Sequence, residues 1–537
     1  MSQRTFAGVP SPEVASTLRR TFVGLPGVGA RAAVPAGAVG PPTDSTGAWL
    51  ALPALMLRPI ESALRAPVER AYNYLNFVMD AHAHGNMLRL LQSYNNESGL
   101  LTTGFVYDNA LALMAYLASP TSDHMRRAKV IGDSLLFAQA TDCARDGRVR
   151  QAYVTGPILS DEGVLTPGFV GDRGAVPARQ FGFTGTSTGD AAWVGLALAQ
   201  LYAHTHDRRY LDGAVAIGQF IVDTATSPYH YGGYLGGLAA DGSFAHQWSS
   251  TEHNIDAYAL FQLLEQLTGE AGWHDKAERA RSFVVAMWEA AGGFFYTGTQ
   301  DPAAAYPQPE AGLVAAMTNG SADQINKTPI PEDVQTWSYL SLAEHAFAQS
   351  IDWAATRLSN TDGFSSSKSG LPAGYSISGV TFSDRSKALT GCVPGGVRHN
   401  ERDAVWLEGT AHLAAALRYR QSRGRHGQGH GQGELSDRSR ALGYLTNIVS
   451  AQSNLGTCAD LAGRPQTVGL TSRTDGALCG DAHGGALTGT ALPPRSGIVA
   501  ASSDFDTGFG FGYFQRQHVG ATSWFLLAAQ GINPFRL

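Results

Sequence analysis

Six segments of the chain repeat one pattern, and this repeat limits the fold more than any other feature of the sequence. Each segment opens with a polar or acidic residue, carries an aromatic residue nearby, and continues with small and aliphatic residues at helical spacing. A helix that is apolar around most of its circumference must be buried on all sides. The segments open at Tyr107-Asp108-Asn109, Asp190, Thr251 to Asp256, Asp333, Asp403 and His518.

Between these segments lie six others that have one apolar stripe and one charged face, as half-exposed helices do. Alternation of fully buried with half-buried helices predicts an all-α fold, the (α/α)6 toroid, rather than a two-domain α+β arrangement. Its inner ring has no solvent face, and its outer ring has one. The predicted outer helices span residues 60–91, 124–140, 209–225, 274–290, 344–357 and 436–452.

The rest of the chain adds loops and one terminal arm to this plan. Short β-hairpins are predicted within 232–248 and 292–299, where glycine and aromatic residues mix. Residues 1–48 are rich in Pro, Gly, Ala and Ser, so we expect a partly extended arm there. A single catalytic domain is then predicted over 49–537.

Charge and composition exclude several classes of partner. The net charge is −6 and the basic residues are scattered, so the sequence gives no reason to expect nucleic acid. No apolar run approaches the roughly 18–20 residues that a membrane span requires. Because neither a phosphate-binding glycine loop nor a metal-spaced His/Cys cluster is present, no cofactor is predicted. Calcium held by loop carboxylates stays open, and the protein is expected to be a monomer or a dimer.

Four cysteines leave the compartment undecided. None forms a Cys-x-x-Cys pair, which argues against zinc or redox chemistry. Cys458 and Cys479 flank a loop-like segment and fit a disulfide, although buried free thiols fit equally well. Residues 1–25 lack the apolar stretch of a secretory signal. A removed or unrecognised signal has the same appearance, and an extracytoplasmic location is favoured over a cytoplasmic one.

The repeated motifs resemble those of the bacterial six-hairpin glycosidase superfamily over residue 60 to the end. They are Tyr107-Asp108-Asn109, Thr251 to Tyr258, Asp333-Val334-Gln335-Thr336-Trp337, Glu408-Gly409-Thr410-Ala411 and the closing Phe509 to Phe514 with His518 to Trp524. The resemblance implies the toroid fold and an activity in polysaccharide degradation. It matches no single glycosidase family, so no catalytic pair is carried over.

Acidic and aromatic residues gather where the inner helices begin. In a ring of hairpins all inner helices run the same way, so their first turns meet at one rim. Carboxylates and aromatic rings on one rim suit carbohydrate chemistry, because rings stack on sugar faces and acids exchange protons. The predicted carbohydrate-binding residues are Tyr107, Asp190, Trp193, Trp248, His253, Asp256, Tyr258, Trp337, Asp403, Trp406, His518 and Trp524.

Four acids are the predicted catalytic groups of a glycoside hydrolase, with a glucan as the favoured substrate. Glu252 is the first choice for general acid, because Asp256 one turn later discourages ionisation of both. Asp108 is ranked first as base, followed by Asp333 and Glu408. An inverting outcome is favoured, which requires carboxyls about 6.5–9.5 Å apart. Capping offers a purely structural alternative, since Ser249 with Glu252 and Ser187 with Asp190 fit capping boxes.

Three other functions stay open on the same fold. A polysaccharide lyase needs a neutralised uronate, and a rim dominated by acids argues against it. The residues that would serve a lyase are Arg402, His253, Asn254 and Tyr258. A sugar epimerase would depend on a histidine pair inside the cup. A carbohydrate-binding toroid without chemistry would have stacked rings but no acids at hydrolytic separation.

Overall fold

In the computed structural model the six repeated segments are helices that pack side by side in a closed ring. The structure describes residues 60–82, 87–95, 100, 102–156, 168–178, 183–239, 246–300, 324–364, 368–394, 396, 398–424, 436–469 and 490–537. The arm predicted over 1–48 lies outside these ranges. Within them are twelve α-helices: α1 Arg65–Asp80, α2 Val106–Leu117, α3 Ser122–Thr141, α4 Thr188–Thr205, α5 Arg208–Ala225, α6 Thr251–Thr268, α7 Gly272–Ala286, α8 Asp333–Leu342, α9 Gln349–Arg357, α10 Leu407–Arg423, α11 Asp437–Asn454 and α12 Val519–Gln530.

The even-numbered helices form the inner ring and the odd-numbered helices form the outer ring. Helices α2, α4, α6, α8, α10 and α12 contact one another in that order, and α12 returns to α2. Each of the first five packs against the odd-numbered helix that follows it, and α12 packs against α1. The predicted (α/α)6 toroid is therefore confirmed by the contacts of this chain.

Burial separates the two rings as the pattern predicts. All twelve residues of α12 are buried, and so are all ten of α8. In the outer helix α11 only six of eighteen residues are buried. The axis of the ring is filled by Trp193, Trp337 and Trp524, whose ring centroids lie 5.2 to 5.9 Å apart. Each such ring contributes roughly 1.5–3 kcal/mol of burial free energy or more, so the axis is a core and not a channel.

Short antiparallel pairs fix the entrance to every inner helix. Phe105 before α2 and Ser187 before α4 belong to two-stranded pairs. Isolated bridges hold the other four entrances, at Ser250, Pro331, Trp406 and His518. Because a paired backbone has little freedom, the first-turn side chains are held by a rigid rim.

The strands are β1 Thr103–Phe105, β2 Ala152–Val154, β3 Val170–Gly171, β4 Gly174–Ala175, β5 Thr186–Ser187, β6 Gly237–Leu238, β7 Trp288–Glu289, β8 Phe294–Phe295, β9 Gly298–Thr299, β10 Ile325–Asn326, β11 Ser359–Gly363, β12 Ser376–Val380, β13 Thr467–Val468, β14 Thr490–Ala491, β15 Phe505–Asp506 and β16 Gly512–Tyr513, each pairing with its neighbour in the order 1–2, 3–4 and so on.

The β5–β6 pair depends on a glycine that no other residue can replace without strain. Gly237 has φ +126°, and a Cβ there would lie 1.9 Å from the Thr186 carbonyl oxygen. We expect Gly237→Ala to lower the free energy of unfolding by at least about 2 kcal/mol, because both the conformation and the clash must be relieved. Urea unfolding measures this loss. Gly443→Ala is the matched control, since it lies within α11 with nothing within 4 Å of the added carbon. If the two variants unfold alike, the strain at Gly237 is disproved.

The structure tests several sequence predictions that concern helix caps, cysteines and membrane spans. Ser187 caps α4 by accepting the Asp190 N–H at 3.2 Å, as predicted. The predicted box at Ser249 is wrong, because Ser250 is the N-cap of α6 and makes no side-chain cap bond. Cys458 is disulfide-bonded, and Cys479 lies outside the described residues. None of the described helices is long and apolar enough to cross a membrane.

Candidate active site

The amino ends of the inner helices enclose a cup that is lined with acids and histidines. Contacts between distant parts of the chain bring them together: Tyr107 of α2 reaches Glu408 of α10, and His518 before α12 reaches Asp108 of α2. Glu332, the N-cap of α8, contacts His412 of α10. The carboxyl-bearing residues of the cup are Asp108, Asp190, Glu252, Asp256, Glu332, Asp333 and Glu408, and its histidines are His253, His412 and His518.

Glu408 is the best-supported anion in the cup. Its Oε1 accepts a hydrogen bond from the Tyr107 hydroxyl at 2.8 Å. Its Oε2 lies 3.4 Å from His518 Nδ1, and His412 Nε2 lies 3.8 Å from Oε1. Burial alone would raise the pKa of Glu408, but the neighbouring imidazoles of His412 and His518 and the Tyr107 hydrogen bond outweigh burial and lower it. Glu408 is therefore ionised at neutral pH.

His412 is held as a cation between two carboxylates. Its Nδ1 lies 3.1 Å from Glu332 Oε2, and both side chains are fully buried. Burial lowers the pKa of His412, but the Glu332 and Glu408 carboxylates together raise it to about 8. On the far side of Glu408, His518 Nε2 lies 3.3 Å from Asp108 Oδ2, while His518 Nδ1 receives the Ala521 backbone N–H. An alternating chain of carboxylates and imidazoles thus runs through the cup.

Burial and neighbouring charges shift four further acids, Glu252, Asp256, Asp190 and Asp333, toward their neutral forms. Burial, followed by the charges of Asp333, Asp190 and Glu408, raises the pKa of Glu252 well above its usual value. Burial and the Glu252 charge do the same to the pKa of Asp256. The pKa values of Asp190 and Asp333 rise to about 7, in both cases mainly through burial. The cup therefore holds an ionised carboxylate and protonated ones together.

Exposure separates residues that reach the opening from residues beneath it. Tyr107, Asp190, Glu252 and His253 are half-buried and line the opening, whereas Asp108, Asp333, Glu408 and His412 are buried. Trp248 lies beside His253, with ring centroids 5.5 Å apart. Burial lowers the pKa of His253 to about 4, so this imidazole is neutral. Among the described residues, Glu252 and Asp190 are the two acids that have a strongly raised pKa and also reach the opening.

Glycine at position 520 lets the innermost acids pack directly against the backbone of α12. A Cβ there would lie 2.5 Å from Asp108 Oδ1 and 3.1 Å from Glu408 Oε2. Nearby, the indole N–H groups of Trp337 and Trp406 and the Oε1 atom of Glu332 make no hydrogen bond with the described residues. Buried polar atoms cost free energy unless a partner satisfies them. A ligand rich in hydroxyl groups supplies both donors and acceptors.

Several predicted ligand-binding residues lie elsewhere or play a different part. Trp193, Trp337 and Trp524 pack on one another beneath the acids, so they form the floor of the cup and offer no free face. Trp406 is also buried, between Phe382 and Tyr513. Trp524 Nε1 donates to the Tyr107 hydroxyl at 2.8 Å, which supports the ring that binds Glu408.

Two predicted site residues lie outside the cup. The prediction for Tyr258 is wrong, because this side chain points toward the outer ring. The charged groups that act on its hydroxyl there are Arg536, Glu278, Arg281 and Glu344. The prediction for Asp403 is also wrong, because α10 begins only at Leu407 and Asp403 is exposed in the preceding loop. Its place in the first turn is taken by Glu408.

Sequence reasoning missed three residues of the cup. Glu332 was passed over because it stands before the helix, at a position where an acid is common for capping alone. Tyr94 stacks on His518 with ring centroids 4.1 Å apart, and Tyr513 faces the acids, whose charges add to burial in raising its pKa. Tyr94 lies in a loop and Tyr513 in a two-residue strand, and no periodicity marks either of them. Among the described residues no group of three His, Cys, Asp or Glu side chains has the geometry of a metal site.

Comparison with known proteins adds little to this geometry. No sequence family and no curated protein matches the chain. A family 76 glycoside hydrolase from a bovine Bacteroides thetaiotaomicron strain is 12% identical with a TM-score of 0.47, and the match covers 86% of this chain and 77% of that one. A D-mannose isomerase is 9% identical with a TM-score of 0.46, covering 88% and 97%. A sugar epimerase from a ruminal bacterium is 8% identical with a TM-score of 0.45, covering 87% and 99%. Values this low carry no argument, and the toroid assignment rests on the chain's own helix contacts.

Proposed function

We propose that this protein is a glycoside hydrolase that cleaves an oligo- or polysaccharide, with a glucan as the favoured substrate. The observation that carries the proposal is the pairing, in one cup, of Glu252, a half-buried acid whose pKa is raised well above its usual value, with Glu408, an ionised carboxylate. Hydrolysis of a glycosidic bond requires these two forms at once, one to protonate the leaving oxygen and one to activate water or stabilise the sugar cation.

Glu252 serves as the general acid in this proposal. A carboxyl that keeps its proton at neutral pH is a better donor than an ordinary surface glutamate. Its raised pKa comes from burial and from three neighbouring carboxyls, and the α6 amino end does not reverse that shift. Because the side chain is half-buried at the opening, it can reach a glycosidic oxygen above it.

Glu408 replaces Asp108 as the proposed base. Asp108 contacts His518 and so positions the imidazole that adjoins Glu408. Asp333 has a pKa of about 7, which leaves it a weaker candidate for a permanently charged group. Glu408 Oε2 accepts no hydrogen bond from the described residues, which leaves a lone pair on that oxygen for a water molecule. Inversion at the anomeric carbon stays a prediction of this arrangement.

One observation favours a second candidate, a sugar epimerase or isomerase. His412 and His518 flank the same carboxylate, and the two imidazoles are the pair that proton transfer at a sugar carbon would need. Against it, His412 is fully buried and lies beneath Glu408, so its ring has no open path to a carbon atom of a sugar. A lyase is less favoured, because the ionised Glu408 repels a uronate and the other acids of the cup carry no positive charge to neutralise it.

A substrate screen separates these functions. The full-length protein is incubated with α- and β-linked glucans and their oligosaccharides, and new reducing ends are measured. Hydrolysis is expected to release reducing sugar, and proton NMR of the first product identifies the anomer and hence inversion or retention. A changed sugar with no new reducing end would replace the proposal by the epimerase, and an unsaturated product that absorbs in the ultraviolet would replace it by the lyase.

A further inference from the structure

A hairpin beside the cup carries aromatic residues at every second position. Strands β15 and β16 are joined through Gly508, Phe509, Gly510 and Phe511, and Tyr513 ends β16. Gly508 and Gly510 have φ values of +86° and +87°, so glycine is required for the tight connection. Phe511 is 45% exposed, while Phe509 and Tyr513 are half-buried.

These rings form one continuous surface that ends at the acids. The rings of Phe511 and Tyr513 lie 5.8 Å apart, and Phe382 lies 5.7 Å from Phe509 and from Phe511. At the inner end Tyr513 stacks on Trp406 at 5.7 Å and lies 6.5 Å from His518. The surface therefore leads from the exposed ring of Phe511 to the imidazole that adjoins Glu408.

A single exposed phenylalanine needs no explanation, because surfaces of folded proteins carry many apolar atoms. Here the exposed ring is the outer end of a row, and the hairpin that presents it is shaped by two glycines with positive φ. Aromatic faces bind the apolar faces of sugar rings, so a row of them beside the cup suits a substrate with several sugar units.

We propose that the hairpin from Phe509 to Tyr513, together with Phe382, is a stacking subsite for the sugar units next to the bond that is cleaved. This inference rests on the proposed function and deepens it, since it assigns the substrate class as a chain of at least several sugars rather than a mono- or disaccharide. The inner unit stacks near Tyr513 and the outer unit on Phe511.

Chain length is the variable that tests the subsite. Calorimetry measures binding of maltose, maltohexaose, cellobiose and cellohexaose to Glu252→Gln protein, in which bound sugar persists even where the wild type hydrolyses it. We expect one hexasaccharide to bind more tightly than its disaccharide. Adding Phe511→Ala should weaken the affinity for that hexasaccharide roughly fivefold and leave the affinity for the disaccharide unchanged.

Phe364→Ala is the matched control. Phe364 is 56% exposed and follows β11 at the end of its hairpin that is remote from Phe382. It should leave the chain-length series unchanged. Equal binding of short and long sugars, no binding, or equal losses from both variants would overturn the subsite. Because binding is read without turnover, the subsite can stand where hydrolysis fails, and hydrolysis can stand where the subsite fails.

Discussion

Replacing Glu252 by glutamine is expected to lower kcat for hydrolysis of an unactivated glycoside by about a thousandfold. The amide keeps the shape of the side chain and its place in the first turn of α6 but has no acidic proton to give the leaving oxygen. The loss should appear in kcat more than in KM, because proton transfer occurs in the transition state. Initial rates on the best substrate of the glucan screen measure it.

The leaving group distinguishes a proton donor from a residue that is merely needed for folding. A nitrophenyl glycoside departs as a weakly basic phenolate and needs little protonation, so Glu252→Gln should slow it far less than the natural sugar. Glu265→Gln is the matched control, since it makes the same change near the other end of α6, where Glu265 faces His274. Equal losses for both leaving groups would contradict the role of Glu252.

The fold was predictable because its strongest signal is burial. Helices without a solvent face must sit inside a ring of others, and α12 is buried at all twelve of its residues. The convergence of acids followed from the common direction of the inner helices. Both inferences need only the pattern of apolar residues and no knowledge of individual contacts.

The wrong predictions of Asp403 and Tyr258 have a different cause. They depend on tertiary contacts where a helix begins and on the side of the helix that each residue faces. Trp406 bonds through its backbone N–H to the Val380 carbonyl, so the chain stays extended at Trp406 and α10 starts after Asp403. Tyr258 lies two residues beyond Asp256, about 200° around the helix, and so faces away from the acids. A local pattern of six acidic helix starts predicts neither the backbone pairing between loops nor the direction in which Tyr258 points.

The protonation states of the acids were out of reach for the same reason. A pKa depends on which groups surround a carboxyl in space, and those groups come from all six inner helices. The sequence placed Glu252 beside Asp256 correctly as neighbours on one helix. It gave no means to find that Glu408 is flanked by His412 and His518, which come from helix α10 itself and from the loop before α12.

Glu332→Gln should move the acid limb of the kcat/KM profile to higher pH by about one to two units. In the wild type this limb reports protonation of Glu408, whose pKa is low because the cationic His412 and the imidazole of His518 adjoin it. Removing the Glu332 carboxylate takes away one of the two partners that raise the pKa of His412 to about 8. We expect burial then to lower the pKa of His412, as it does that of His253, so that the imidazole is neutral through the acid limb. Glu408 then loses a positive neighbour, its pKa rises, and it is protonated at a pH where the wild type is still active.

The size of the loss must therefore depend on pH, which a structural defect would not require. At pH 5 the variant should be slower by roughly ten- to a hundredfold, whereas above pH 8 the two enzymes should converge because His412 is neutral in both. The other titratable groups that face the pair are Asp333, Asp108, His518, Tyr107, Tyr513 and Glu252, and all of them are unchanged in the variant. Glu344→Gln, which removes a 2.7 Å ion pair with Arg281 outside the cup, serves as the control and should leave the profile in place. A Glu332→Gln profile that is lowered equally at every pH would show that Glu332 supports the fold of the cup and does not set the charge of Glu408.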